Sequence, residues 1–295
     1  MPSRRQIREA AIQFLYCADL EGGAYPPDLR EPFWQFLTET DQRNLLVATF
    51  RTVRHLAHGR ESRLIEFVER SDKTRASLSA VESAEALLVI LKRLLALESS
   101  WSIALTKLER IPKDGEDSDV VESFQSALED FFKIDRDLAF NREQFIESAK
   151  DFPSLKAQLE ATTASITRLQ RISQRIRMVE EPENFPEQTD LAKIRDSKAE
   201  IAALRNQTDQ LVDSVLESKA AIDAKLALLV ENYSPERIDP VDRAILRLGS
   251  YEILETATPR KVVINEAIEL AKRFGTQDSH RFVNGLLDKL VKSEV

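Results

Sequence analysis

Near one end the chain runs Asp278-Ser279-His280, three reactive side-chain types in succession. A nucleophile, a base and an orienting acid must converge in space. Neighbours at a helix start point in different directions, so these three cannot serve one another in that way. The plainer reading is a capping aspartate followed by two exposed polar residues. The acidic pairs Glu129-Asp130 and Glu180-Glu181 are most simply a solvated helix face, since nothing places them in a cleft. One cysteine, Cys17, and three histidines, His55, His58 and His280, give neither a disulfide framework nor metal-ligand spacing. Seven glycines in 295 residues leave no room for a glycine-rich cofactor loop and its α/β domain. No catalytic residue, metal ligand or cofactor is expected.

What remains is binding chemistry. Arg4, Arg5 and Arg8 stand at one end, and Arg260, Lys261, Lys272, Arg273 and Arg281 at the other. Phe274 and Phe282 flank the loop between two helices, where aromatic rings can stack on unpaired bases. Both rings also fit an apolar stripe, so a core role competes. The net charge of −8 opposes a general nucleic-acid binder, a class that is usually basic. Its distribution softens the objection. Residues 1–35 hold 4 basic and 5 acidic side chains and residues 231–295 hold 10 and 11, so each end is near neutral. A local basic patch built from the two ends is compatible with these numbers; a basic whole protein is not.

An all-α scaffold must position these groups. The chain has only 7 Gly and 11 Pro, and is 42% hydrophobic and 31% charged. Ser3 and Gln6 make a capping box for a first helix, whose stripe is Ile7, Ala11, Phe14, Leu15 and Ala18 and whose end is Gly22-Gly23. Arg5, Glu9, Ile12 and Tyr16 fall on the side away from that stripe. A tyrosine and an isoleucine there suit a partner surface, unless Tyr16 packs on a neighbouring helix. Three short helices close the chain. Asp239 caps the first, with Pro240 at its first position and Asp242 at its third. Its stripe is Ile245, Leu248, Tyr251 and Leu254. After Pro259, the second buries Val263, Ile264, Ala267, Ile268 and Ala271 and stops at Gly275, a C-cap. Asp278 caps the third, which buries Phe282, Val283, Leu286, Leu287 and Leu290; Gly285 there marks a close backbone approach, with Asn284 bonding across.

In the middle, Pro26, Pro27 and Pro32 mark a loop. Helices are expected over 41–70, 77–98, 118–138, 140–150 and 154–179, with breaks at Ser71–Ser77, Pro112–Gly115 and Pro153. A long helix then runs from about Asp190 to Asn232. Its Ile194, Ile201, Leu204, Leu211, Val215, Ile222 and Leu229 keep a 3/4 repeat that suits a partly coiled-coil arm or one amphipathic helix. No apolar leader follows Arg4 and Arg5, and the apolar run 86–97 is broken by Lys92 and Arg93 and is too short to span a bilayer. No membrane role and a cytoplasmic location are expected.

The words themselves go further. Ala244-Ile245-Leu246-Arg247, Tyr251-Glu252, Val263-Ile264-Asn265-Glu266-Ala267, Glu269-Leu270-Ala271-Lys272, Phe274-Gly275 and Asp278–Gly285 stand in an order and spacing that closely resemble the C-terminal half of the NusB transcription-antitermination family. At the other end Arg4-Arg5, Arg8-Glu9, Ala11, Gln13 and Leu15-Tyr16 resemble that family's opening helix, with Gln6-Ile7 departing from its usual Arg and Ala and thinning the basic patch.

The resemblance implies an all-α, NusB-like helical bundle split by a large helical insertion: residues 1–40 and 205–295 as the RNA- and partner-binding domain, and 41–204 as an inserted region of unknown role. It implies non-catalytic binding, with the small ribosomal-subunit protein NusE, of single-stranded boxA-type leader RNA during ribosomal RNA transcription, coupled indirectly to the RNA polymerase elongation complex. Carried over residue by residue, the RNA contacts are Arg4, Arg5, Arg8, Lys261, Phe274, Asp278, Arg281 and Phe282. The NusE contacts are Glu9, Ile12, Tyr16 and Asp242. Asp278 at an RNA edge would accept hydrogen bonds from base amino groups, and Asp242 is otherwise a carboxylate favoured by the helix dipole. A NusB-like domain also occurs fused to ribosomal RNA methyltransferases, a reading the scarcity of glycine disfavours. The remaining alternative is a protein-only scaffold or adaptor working through its acidic insert.

Overall fold

A computed structural model describes residues 1–21, 26–113, 118–229 and 237–293, and among them every regular element is helical. The helices are α1 (Arg4–Leu20), α2 (Pro26–Ala57), α3 (Arg60–Ser79), α4 (Glu85–Arg110), α5 (Ser118–Ala149), α6 (Lys156–Glu180), α7 (Ala192–Glu217), α8 (Lys219–Leu229), α9 (Pro240–Glu255), α10 (Arg260–Phe274) and α11 (Ser279–Ser293). They form two units, Met1–Thr40 with Lys198–Val295, and Asp41–Ser197. Both boundaries fall inside helices, α2 and α7. Among the described residues no helix is long and apolar enough to cross a membrane.

In the first unit, Ser3 and Gln6 form the capping box: the Gln6 N–H donates to Ser3 Oγ and the Ser3 N–H to Gln6 Oε1. Asp239 Oδ1 accepts from the Val241 N–H at 2.9 Å, with Pro240 in the first turn of α9. Helices α1, α9, α10 and α11 bury Phe14, Leu15, Ile245, Leu248, Val263, Leu270, Val283 and Leu287 in one core. Val212, Val215, Ile222 and Leu226 of α7 and α8 join it, whereas Ile194 joins the core of the second unit. The 3/4 repeat is therefore divided between two cores instead of forming a seam of its own, and it is interrupted between Glu217 and Lys219.

The prolines near residue 30 do not form a loop. Pro26 opens α2 and Pro32 lies inside it. An internal proline costs about 3 kcal/mol, but the next two residues, Phe33 and Trp34, are buried. Phe33 meets Phe14 edge to face at 5.1 Å, and Trp34 Nε1 donates to Asp209 Oδ1 at 3.0 Å. Packing decides the conformation. Gly22 and Gly23, Asp114–Gly115 and the far end of the long helix at Asn232 lie outside the described residues.

The second unit is a bundle of α3, α4, α5 and α6 with the later part of α2, around Phe67, Leu87, Leu91, Phe131, Phe145, Ile166 and Ile176. Its breaks differ from those expected. Gly59 adopts φ +76°, a left-handed conformation that ends α2 and lets α3 start. Ser71–Ser77 is no break but the inside of α3. Ser71 Oγ donates to the Phe67 carbonyl at 2.7 Å, and Thr74 and Thr162 share a buried hydroxyl pair at 2.8 Å. Helix α5 likewise runs unbroken through residues 138–140, its Leu138 buried.

Candidate functional site

Helix α1 lies antiparallel to α9, and ion pairs fix the register at both ends. Near its start, Arg8 Nε donates to both oxygens of Glu252, at 3.0 Å each. Near its end, Asp19 accepts from Arg243 and, at 2.9 Å, from Arg247. Arg247 also grips Asp223 of α8 through Nε at 2.8 Å and Nη2 at 2.7 Å. Burial works against the charged form of both Asp19 and Arg247, but their mutual bonds win: the Asp19 carboxyl sits below its ordinary value and the Arg247 guanidinium above.

These pairs alter the expected surface. Arg8 is 6% exposed, with Glu266 of α10 a second acid at 3.8 Å. It is a tie between helices, not a surface cation. Ile12 is not on an outer face; it is 2% exposed within the core. A single-stripe reading of α1 fails because α9 and Phe33 of α2 cover the helix from more than one side. Tyr16 is half-buried against the same core. Glu9 bonds both Arg5, at 3.2 Å, and Arg273 at the end of α10.

The expected RNA residues fall into two groups. Arg4 and Arg5 are exposed on the first turn of α1. The Arg5–Glu9–Arg273 chain brings that turn to the end of α10, where the Arg273 guanidinium stands 5.2 Å from the centre of the Phe274 ring. Arg5 also adds to Lys272 in holding the Glu269 carboxyl below its ordinary value. Immediately beyond come Asp278 and Arg281, both largely exposed and 3.9 Å apart, and half-buried Phe282. Lys261 is exposed but belongs to the opposite end of α10, about 20 Å along the helix from Phe274 at 1.5 Å per residue.

Two glycines exchange roles. A Cβ on Gly285 would meet nothing within 4 Å, so the close approach expected there does not exist. Gly249 of α9 instead faces Leu287 of α11, where a Cβ would sit 3.0 Å from a methyl carbon. Gly275 does end α10. Its conformation is extended, and it is needed for space, since a Cβ would stand 2.5 Å from both Cβ and Oγ of Ser279.

That tight turn carries Ser279 to Asp242. Asp242 is 6% exposed, and Oδ1 has no hydrogen-bond partner. Burial pushes its carboxyl above the ordinary range, against a hydrogen bond from the Ser279 hydroxyl and with a smaller push from Asp239. Sequence reasoning passed over Asp19, Asp223 and Glu252. The available signal was Arg247, a charged residue inside the otherwise apolar run Ala244–Leu248, which demands buried carboxylates.

The first unit is thus all-α, and where α1 meets the end of α10 it exposes Arg4, Arg5 and Arg273, with Asp278 and Arg281 on the next turn of chain. Among the described residues no group of His, Cys, Asp and Glu could hold a metal ion. A model of the NusB family matches residues 166–292. The Geobacter sulfurreducens transcription antitermination protein NusB is 43% identical over 99 residues, 33% of this chain and 72% of that protein. The NusB of Pseudoalteromonas atlantica is 52% identical over 85 residues, covering 28% of this chain and 60% of that protein. A solved structure of T. maritima NusB matches at 35% identity over 38% of this chain and 81% of that one, with a TM-score of 0.30. The chain belongs to the NusB family. It spans about six-tenths of the length of the relative from P. atlantica, and residues 1–165, α1 included, lie outside the family-model match.

Proposed function

We propose that this chain is a non-catalytic, cytoplasmic transcription antitermination factor that binds boxA-type leader RNA together with NusE, and through that pair acts on the RNA polymerase elongation complex. In this reading residues 1–40 and 205–295 do the binding. The observation that carries it is the clustering of exposed Arg5 and Arg273 and half-buried Phe274 through Glu9, with Asp278, Arg281 and half-buried Phe282 on the next turn of chain. Cations position a strand by its phosphates, and rings and hydrogen-bonding edges read its bases. Arg4 and Arg5 take phosphate, Arg8 holds α1 in place, and Lys261 reaches only a strand that follows the length of α10. For NusE, Tyr16 and Glu9 of α1 are both half-buried, so a partner would meet only their outer edges. Asp242 contributes by offering its unpaired oxygen once a partner's donor covers that end of α9.

A protein-only scaffold is the second reading, favoured by the neutralisation of Arg8 and Glu9 within the fold. Calorimetric titration separates the two. The RNA reading expects the chain with NusE to bind boxA RNA more tightly than a scrambled strand, with Arg5→Ala lowering the salt slope by about one. Asp242→Asn and Tyr16→Ala should each weaken the NusE complex, by about 2 kcal/mol for Asp242. Tight NusE binding with no RNA binding would leave only the scaffold.

A further inference from the structure

The second unit carries net negative charge, yet one of its cavities is lined by a single sign. His55 from the last turn of α2, His58 from the turn that follows it, Arg63 from the first turns of α3, and Arg171 and Arg175 from α6 surround a space of about 400 Å³, with only Leu56 and Ile172 beside them. No acidic residue lines it. None of the three arginines has an ion-pair partner among the described residues. The neighbouring stretch of the α3–α6 seam behaves differently: Arg168 donates to both oxygens of Glu66 at 2.8 Å, and Arg70 pairs with the same acid. Glu66 is therefore already neutralised one turn from Arg63. The adjoining cavity, which shares His58, includes Glu61 and Glu109 and is of mixed sign.

A like-charged pair at i,i+4, as Arg171 and Arg175 are, destabilises a helix, and a third arginine compounds the repulsion. An anion in the cavity reverses it. Planar guanidinium forks match the oxygens of phosphate, and the histidine ring N–H groups add donors. No Phe, Tyr or Trp lines the space.

We propose that this cavity of the second unit is a phosphate-binding site that recognises phosphoryl oxygens without reading sequence. The phosphate comes either from a phosphodiester backbone or from a small free phosphate compound. The site does not depend on the boxA reading, because a chain that ignores boxA RNA can still hold phosphate here.

The test uses the full chain, wild type against Arg171→Gln/Arg175→Gln, with Arg171→Lys/Arg175→Lys as the charge-retaining control. One arm titrates inorganic pyrophosphate; the other titrates an oligouridylate, which lacks boxA sequence, across a salt series. Retained helicity and melting temperature establish that the exposed substitutions leave the fold intact. Wild type should bind pyrophosphate at least ten times more tightly than the glutamine variant, with the lysine variant between them. If phosphodiesters are the natural ligand, the oligouridylate salt slope should also fall by about two in the glutamine variant. Loss in the pyrophosphate arm alone assigns the site to small phosphate compounds. Equal binding by wild type and glutamine variant in both arms overturns the proposal.

Discussion

The two units bury arginine in the same way and expose it differently. In the family unit Arg8 and Arg247 are held by carboxylates from other helices, and Arg5, Arg243 and Arg273 also face acids. In the second unit Glu98 binds Arg60 and, through one oxygen, Arg142 at 2.6 Å. Asp135 accepts from Trp101 at 2.7 Å and Ser173 at 2.8 Å, while Arg60 lies 3.7 Å from the centre of the Trp101 ring. Burial lowers Arg60 to about 10, against the pull of Glu98. Yet the net-acidic second unit is where Arg63, Arg171 and Arg175 line a cavity without acids. Net charge therefore does not locate anion chemistry; local pairing does.

The largest expected effect lies in the insert. Glu98→Ala removes the carboxylate that both buried guanidinium groups bond, leaving only Asp135 near them, and should destabilise the fold by about 3–5 kcal/mol in chemical unfolding. The family unit's counterpart, Glu252→Ala, should cost less, about 2 kcal/mol, because Glu266 remains near Arg8. Equal losses would mean that Glu266 does not compensate.

The two raised carboxyls sharpen the contrast. Asp135 has two donors and two nearby guanidinium groups, whereas Asp242 has one donor and an orphan oxygen. Asp135→Asn should change stability at pH 7 by no more than about 1 kcal/mol, because the amide oxygen still accepts from Ser173 and Trp101 while the charge that burial disfavours is removed. Asp242→Asn should leave the fold as stable or more so, by about 1 kcal/mol at most, burial outweighing the loss of a helix-start carboxylate. The sign follows from proton linkage. The folded state holds the Asp242 proton more tightly than the unfolded chain, so wild-type stability falls as pH rises from about 4 toward the raised value. The advantage of Asn should vanish below about pH 4; an advantage that persists there would contradict a buried-charge origin. The smallest effect is Gly285→Ala, which places a methyl in open space and should stabilise by about 0.5–1 kcal/mol in thermal melts.

The caps of α1 and α9, the order of the closing helices and their apolar stripes were legible because each rests on short-range chemistry: Ser3 with Gln6, Asp239 with Pro240, Gly275 before Ser279. Other features depended on partners far apart in sequence. Ile12 looks outward on a wheel until α9 is laid against α1, and Arg8, expected as an RNA contact, is a tie between helices once Glu252 and Glu266 are in place. Pro32 looks like a breaker until Phe33 and Trp34 find their core. Gly59, read past as part of a helix, sets a break through its left-handed backbone. The basic cavity joins residues 55–63 to 171–175, a separation that no local pattern reveals.

The central claim is that the family unit distinguishes RNA while the insert does not. The most direct measurement is the ratio of affinities for boxA-type and scrambled RNA, with NusE present and salt fixed. The account predicts a ratio well above one for wild type, collapsing toward one in Phe274→Ala/Phe282→Ala and unchanged in Arg171→Gln/Arg175→Gln. A wild-type ratio of one, or a ratio that collapses with the insert variant instead, would contradict it.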